Sequence, residues 1–166
     1  MSEPNQDPIA LYRSNLLELL AETFERVQGY FLDRDTSLFE TLAGIDAARA
    51  SLRYSPYCSN LAAQVNHTRF YLDVSIRAIR DGDQTKADWD ASWNVGAVTA
   101  AEWTDLVEGL RSSYEDLKTI ITTHGNWDDE AIGGTMGIVA HSAYHLGEIR
   151  QALAIIPVVS APSSEA

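Results

Sequence analysis

Cysteine is almost absent. Cys58 is the only one among 166 residues, so no disulfide can form within the chain, and a lone thiol suits a reducing compartment. Basic residues are also few. Twelve Lys and Arg face 24 Asp and Glu, a formal charge of −12. Nucleic-acid binding draws most of its affinity from Lys and Arg set on phosphates. This balance argues against DNA, RNA and anionic membranes as main partners and describes an acidic, solvated exterior. Long apolar runs are missing too, since no stretch approaches the ~18 apolar residues of a membrane span. Residues 1–8 are polar and acidic, without the basic start and apolar run of a secretion signal. Together these absences predict a cytoplasmic protein.

The length suits one domain, able to bury roughly 68–70% of the surface its unfolded chain exposes. Apolar residues make up 45% of the sequence, enough for an ordinary core. Four segments have helical length and period, and strand-like alternation is lacking. The expected class is all-α: a four-helix bundle over residues 8–157, with long connections between helices one and two and between helices two and three. Residues 1–7 and 158–166 are expected to be disordered, the latter for their Ser, Pro and Ala content.

The first helix is expected over residues 8–32, where Leu11, Leu16, Leu19, Leu20, Phe24, Val27 and Phe31 recur at steps of three and four. The second, over residues 59–81, carries a stripe of Leu61, Val65, Thr68, Leu72, Ile76 and Ile79. Ser59 or Asn60 can cap it, and Gly82 stands where a left-handed C-terminal residue belongs. The third starts at the capping box Thr99-Ala-Ala-Glu102 and stops at Gly125. The fourth is expected to begin near Gly133-Gly134-Thr135 and to end at Pro157, which cannot continue a helix. In the first connection, residues 38–43 form a short helix. The second connection carries Trp89 and Trp93, whose expected job is to plug the open end of the bundle.

The placement of the four histidines is the informative feature. His141 and His145 are four residues apart, so on a helix they point only about 40° apart. Their Cβ atoms lie roughly 5–6 Å from each other, close enough for both imidazoles to reach one ion at ~2.0–2.1 Å. Such a pair alone arises by chance on many helix faces. His67, beside the core stripe of the second helix, adds a third imidazole that can meet the pair across the bundle. Two readings stand side by side: one divalent ion on three neutral imidazoles with an open fourth position, or three histidines that pack and hydrogen-bond separately. Free imidazoles would release such an ion below about pH 6. His124, before Gly125, suits the negative end of the third helix.

Several chemistries are excluded. Ser142 follows His141, so the H-E-x-x-H of zinc proteases is absent. No Glu-x-x-His occurs, which excludes the di-iron carboxylate bundles. There is no paired-Cys zinc motif, no P-loop and no G-x-S-x-G elbow.

The stretch Gly137-Ile-Val-Ala-His-Ser-Ala-Tyr-His-Leu-Gly-Glu-Ile-Arg150 resembles the last-helix motif of the DinB-like family. Asn66-His67-Thr-Arg-Phe-Tyr71 resembles that family's second-helix histidine region, and Trp89, Trp93 and Trp103 resemble a subgroup of it. The likeness spans residues 11–153. It implies a four-helix bundle, homodimerisation, and one divalent metal ion, nickel or zinc, on His67, His141 and His145. Where many relatives carry Gln, this chain has Glu148. On the helix Glu148 is seven residues after His141, in reach of a role as fourth ligand, base or partner of a ligand.

Relatives of known activity include bacillithiol- and mycothiol-dependent transferases and an isomerase. The resemblance therefore implies transfer of a low-molecular-weight thiol to an electrophilic small-molecule substrate. Tyr71 and Tyr144 would line the pocket, and Glu148 would accept a proton. The alternatives are a metal-dependent hydrolase with the same ligands, and a non-enzymatic metal-binding or dimeric interaction protein. Arg69 and Arg150 point away from the histidines in ideal helix geometry.

Overall fold

A computed structural model of the chain describes residues 7–155. In order these form α1 (Pro8–Phe24), α2 (Leu38–Leu42), α3 (Ala47–Ala50), α4 (Leu61–Asp81), α5 (Trp89–Ser92), α6 (Ala100–Thr123) and α7 (Asp129–Ile155). Among the described residues there is no strand. The four long helices pack in a ring: α4 lies against α6 and α7, and α1 lies against the same two. The second and fourth long helices are thus neighbours rather than diagonal. Leu16, Leu20, Phe24, Leu72, Leu110, Leu117, Ile138, Leu146 and Ile149 fill the shared core. Phe24 stacks on the buried ring of Tyr114, with centroids 4.6 Å apart.

Where local chemistry marks an end, the element falls as expected. The Asn60 side chain accepts the Ala63 amide at the start of α4, and Gly82 closes it at φ 65°. Thr99 and Glu102 complete their capping box. The Trp103 indole reaches the Ile45 carbonyl at 2.7 Å.

Three boundaries differ from expectation, and two short helices are added. The first helix stops at Phe24 rather than near residue 32, because Glu22 pulls the following chain into a loop around its carboxylate. The amides of Gln28, Tyr30, Phe31 and Leu32 all donate to it at 2.6–3.1 Å. Gly29 lets the chain turn there at φ 96°. Asp7 is the N-cap of α1, its carboxylate accepting from Ile9, rather than part of a disordered end. The last helix starts one turn earlier than Gly133, at Asp129, because the Asp128 carboxylate accepts the Ala131 amide. Two short helices, α3 and α5, are set by the same device: Asp46 caps Arg49 and Asp88 caps Ala91. The expected disorder of residues 1–6 and 158–166 and the stop at Pro157 lie outside the described residues.

No helix among the described residues is long and apolar enough to cross a membrane.

Candidate metal centre

His67 comes from the first half of α4, and His141 and His145 from successive turns of α7. Because α4 and α7 are neighbours, the three imidazoles converge. One ring nitrogen from each lies within 4.8 Å of the others. Ring centroids are 5.2 Å apart for His67 and His141, 4.8 Å for His67 and His145, and 4.4 Å for His141 and His145. His67 and His145 are buried, with 6% and 3% of their surface exposed.

The hydrogen bonds around the rings decide their tautomers. Ser92 Oγ donates its one proton to the Trp89 carbonyl at 2.6 Å. Towards His67 Nδ1, also 2.6 Å away, it must therefore accept. His67 thus carries its proton on Nδ1 and keeps a lone pair on Nε2. His145 Nδ1 faces two acceptors, Gln64 Oε1 at 2.8 Å and Glu148 Oε2 at 2.9 Å. It too must donate from Nδ1, again leaving Nε2 as the lone pair. Gln64 Nε2 donates to the same Glu148 oxygen at 3.2 Å, which fixes the amide's orientation.

His141 Nε2 is buried and has no hydrogen-bond partner. A buried, unsatisfied polar atom costs ~1–3 kcal/mol. Here it stands beside two imidazoles whose other nitrogens are held by oxygen acceptors, the usual outer arrangement of metal-bound histidine. The residues therefore fit a divalent cation: a buried three-histidine group that can hold a metal ion, with no thiolate or carboxylate in the set.

Burial disfavours the charged ring and pushes His67 down to about 4, with His145 adding to the effect and Glu148 opposing it. His141 is pushed down to about 4 by burial, then by His145 and His67, again against Glu148. His145 is lowered by burial, in opposition to Glu148. Proton competition for His67 and His141 thus moves down to about 4, lower than free imidazoles would give, and that for His145 moves in the same direction. The sign for folding follows. The unfolded chain binds these protons first, so metal-free stability falls as pH drops from about 6.5 towards 4.

Tyr71 and Tyr144 both lie near the histidines. The Tyr71 ring stacks on His141 at 3.6 Å and 14°. Burial raises its hydroxyl pKa, so it stays a phenol at neutral pH. Tyr144 meets His145 edge-on at 5.0 Å but is 61% exposed. Its hydroxyl donates to Glu148 Oε1 at 2.8 Å. Glu148 touches His145, not His141. One of its oxygens holds the His145 ring and the other holds Tyr144, so of the three roles its spacing allows, the geometry matches partner of a ligand.

Trp93, expected as a plug of the bundle's open end, lies against the histidines: it stacks on His67 at 3.9 Å and 17° and meets His145 edge-on at 5.5 Å. Trp89 packs against Phe70 and Tyr71. Arg69 pairs with Asp73, and Arg150 reaches Thr41, so neither serves the site. His124 caps the C-terminal end of α6 and packs on Trp127.

Two residues of the site escape sequence reasoning. Gln64 leaves a trace, a polar residue one turn before His67 on the same face. Ser92 leaves none beyond lying next to Trp93, because its role exists only once the second connection folds onto α4. Replacing Ser92 with Ala is expected to weaken metal binding ~10–100-fold while the fold stays intact. Competition against a chromophoric chelator measures this, and an unchanged affinity would show that the hydroxyl does not hold the ligand.

No protein-family model, no curated protein and no solved structure matches this chain.

Proposed function

We propose that this chain is a metal-dependent enzyme of the DinB-like kind. On this reading it holds one nickel or zinc ion on His67, His141 and His145 and transfers a small cellular thiol to an electrophilic small molecule. The observation supporting the metal half is the buried, unpartnered Nε2 of His141 beside two imidazoles whose Nδ1 protons are already committed. The thiol half rests on the sequence resemblance. A divalent ion there lowers the pKa of a thiol, so that thiolate is present at neutral pH.

The chain's own residues supply position and shelter. Ser92 orients His67, while Gln64 and Glu148 orient His145. Trp93 and Tyr71 cover one face each of His67 and His141 and keep water from them. In the reaction the thiol loses its S–H proton to solvent, and sulfur forms the new bond to the electrophilic carbon. The electron pair displaced from that carbon departs with a leaving group, or moves to a neighbouring atom that then takes up a proton from solvent. A homodimer belongs to the same proposal. Met136 and Tyr144, both exposed on α7, are surface that a second copy would cover.

The test is turnover of metal-loaded protein with bacillithiol, mycothiol, glutathione and coenzyme A against an alkylating fluorophore. Thiol-dependent product that disappears in His145→Ala supports the reading. Equal turnover without any thiol would move the site to hydrolysis. No turnover with any thiol would leave a metal-binding interaction protein.

A further inference from the structure

A space between α4 and α7 lies next to the histidine centre, on the other side of Tyr71. The α4 face carrying His67 continues through Tyr71, Ser75, Ala78 and Ile79. The α7 face carrying His141 runs back through Gly137 and Gly134 to Ala131 and Glu130. Between these faces lies a half-open cavity of about 300 Å³, lined at its far end by Gly82, Gln84, His124, Asn126 and Asp128. Of the nearby α7 glycines, Gly134 lines this space. Three glycines, Gly133, Gly134 and Gly137, sit within two turns of one helix, where each is a poorer helix former than alanine. Packing does not require two of them: a Cβ on Gly133 or Gly134 would meet no atom within 4 Å. Tyr71 belongs to both regions, lining the cavity while its ring lies 3.6 Å from that of His141. A ligand in the cavity is therefore one aromatic ring away from the histidine centre.

The lining also sets the kind of ligand. Asp128 and Glu130 supply carboxylates, Gln84 and Asn126 supply amides, and no Lys or Arg lines the wall. Tyr71, Ala78, Ile79 and Ala131 supply apolar surface. The Asp128 carboxyl is held below its ordinary range, first by the Ala131 amide, against desolvation, with further help from Asn126, and so stays ionised. A volume of this size suits a small ligand at the low end of natural binding pockets.

We propose that this cavity is the substrate subsite beside the histidine centre, and that it takes a small primary ammonium compound with an apolar body. The ammonium sits against Glu130 and Asp128, and the apolar body lies along Tyr71 and Ile79. This assignment rests on the metal reading for its role as a substrate site, but not for its existence as a binding site.

The probes are phenethylamine and cyclohexylmethylamine, with phenylacetate and cyclohexylacetate as charge-reversed controls. They are titrated by two-dimensional NMR into metal-free and zinc-loaded full-length protein. Both amines are expected to bind with Kd near ~1 mM, shifting Ser75, Ala78 and Gly134, while the carboxylates do not. Gly134→Leu fills the space with a better helix former. It is expected to fold at least as stably, to take up metal normally and to lose amine binding. Glu130→Gln keeps the shape and is expected to weaken the amines ~5-fold.

In cobalt-loaded protein the protons of the bound amine should relax faster than in the zinc form. Absence of amine binding, equal binding of the carboxylates, or full amine binding in Gly134→Leu would each overturn the subsite. So would unchanged relaxation in the cobalt form. Failure of metal uptake with amine binding intact would instead overturn the metal reading and leave the cavity standing.

Discussion

The His141→Ala chain is expected to purify without stoichiometric metal and to take up none from a one-equivalent addition of zinc or nickel. The affinity lost is several orders of magnitude, because one of three protein ligands is removed and the remaining pair cannot close the site. The variant should nonetheless fold. His141 is half-buried, and its Nε2 is an unsatisfied atom in the metal-free chain, so alanine removes a cost along with a ring. Metal-free His141→Ala is therefore expected to match or exceed the thermal stability of the metal-free parent. His67→Ala and His145→Ala should also lose metal but be less stable than His141→Ala. They lose the bonds that His67 makes to Ser92 and His145 makes to the Gln64–Glu148 pair, so each of those groups loses one of its partners. Elemental analysis and thermal denaturation of the three variants check both halves. A full equivalent of metal in any of them would remove that residue from the ligand set.

Glu22→Ala is expected to be the most destabilising single substitution outside the site, on the order of 4 kcal/mol. Solvent reaches none of the Glu22 surface, yet four backbone amides converge on its carboxylate. Alanine would strand all four and release the loop from 28 to 32. Desolvation alone would raise this carboxyl, but the amides of Phe31, Tyr30, Leu32 and Gln28 outweigh it and hold it at about 2. The folded-state value lies below the unfolded one. The contribution is therefore complete above pH 4.5 and is lost as pH falls from 4.5 towards 2. Urea unfolding of parent and Glu22→Gln at pH 7 and pH 3 measures it, and the gap between the two proteins should narrow at the lower pH. A gap that does not change with pH would show that the carboxylate charge is not what anchors the loop.

Glu22 also shows why the first helix was misjudged from sequence. Val27 and Phe31 continue the apolar period, and periodicity carries no information about a carboxylate one turn back that captures the next amides. A hint was present: an acidic residue inside an apolar stripe, followed by Gly29. The third long helix was legible because Thr99 and Glu102 form a local, reciprocal pair that needs no tertiary contact. The last helix was misplaced by one turn because two adjacent glycines look like a boundary, whereas Asp128 starts the helix before them.

The histidine triad was legible in part. Four-residue spacing puts His141 and His145 on one face whatever the rest of the fold does. That His67 meets them depends on the packing of α4 against α7, which spacing left open. The supports of the site were not legible, since Ser92 and Trp93 reach His67 only through the folding of the 83–98 connection onto α4.

The central claim is that His67, His141 and His145 form one metal site. Elemental analysis of the parent protein, purified without an affinity tag and then dialysed against a single equivalent of zinc or nickel, tests it most directly. About one metal ion per chain, retained at pH 5 and released towards pH 4, is the predicted result. No metal as purified and no uptake on addition would contradict the account and leave three buried histidines with structural roles alone.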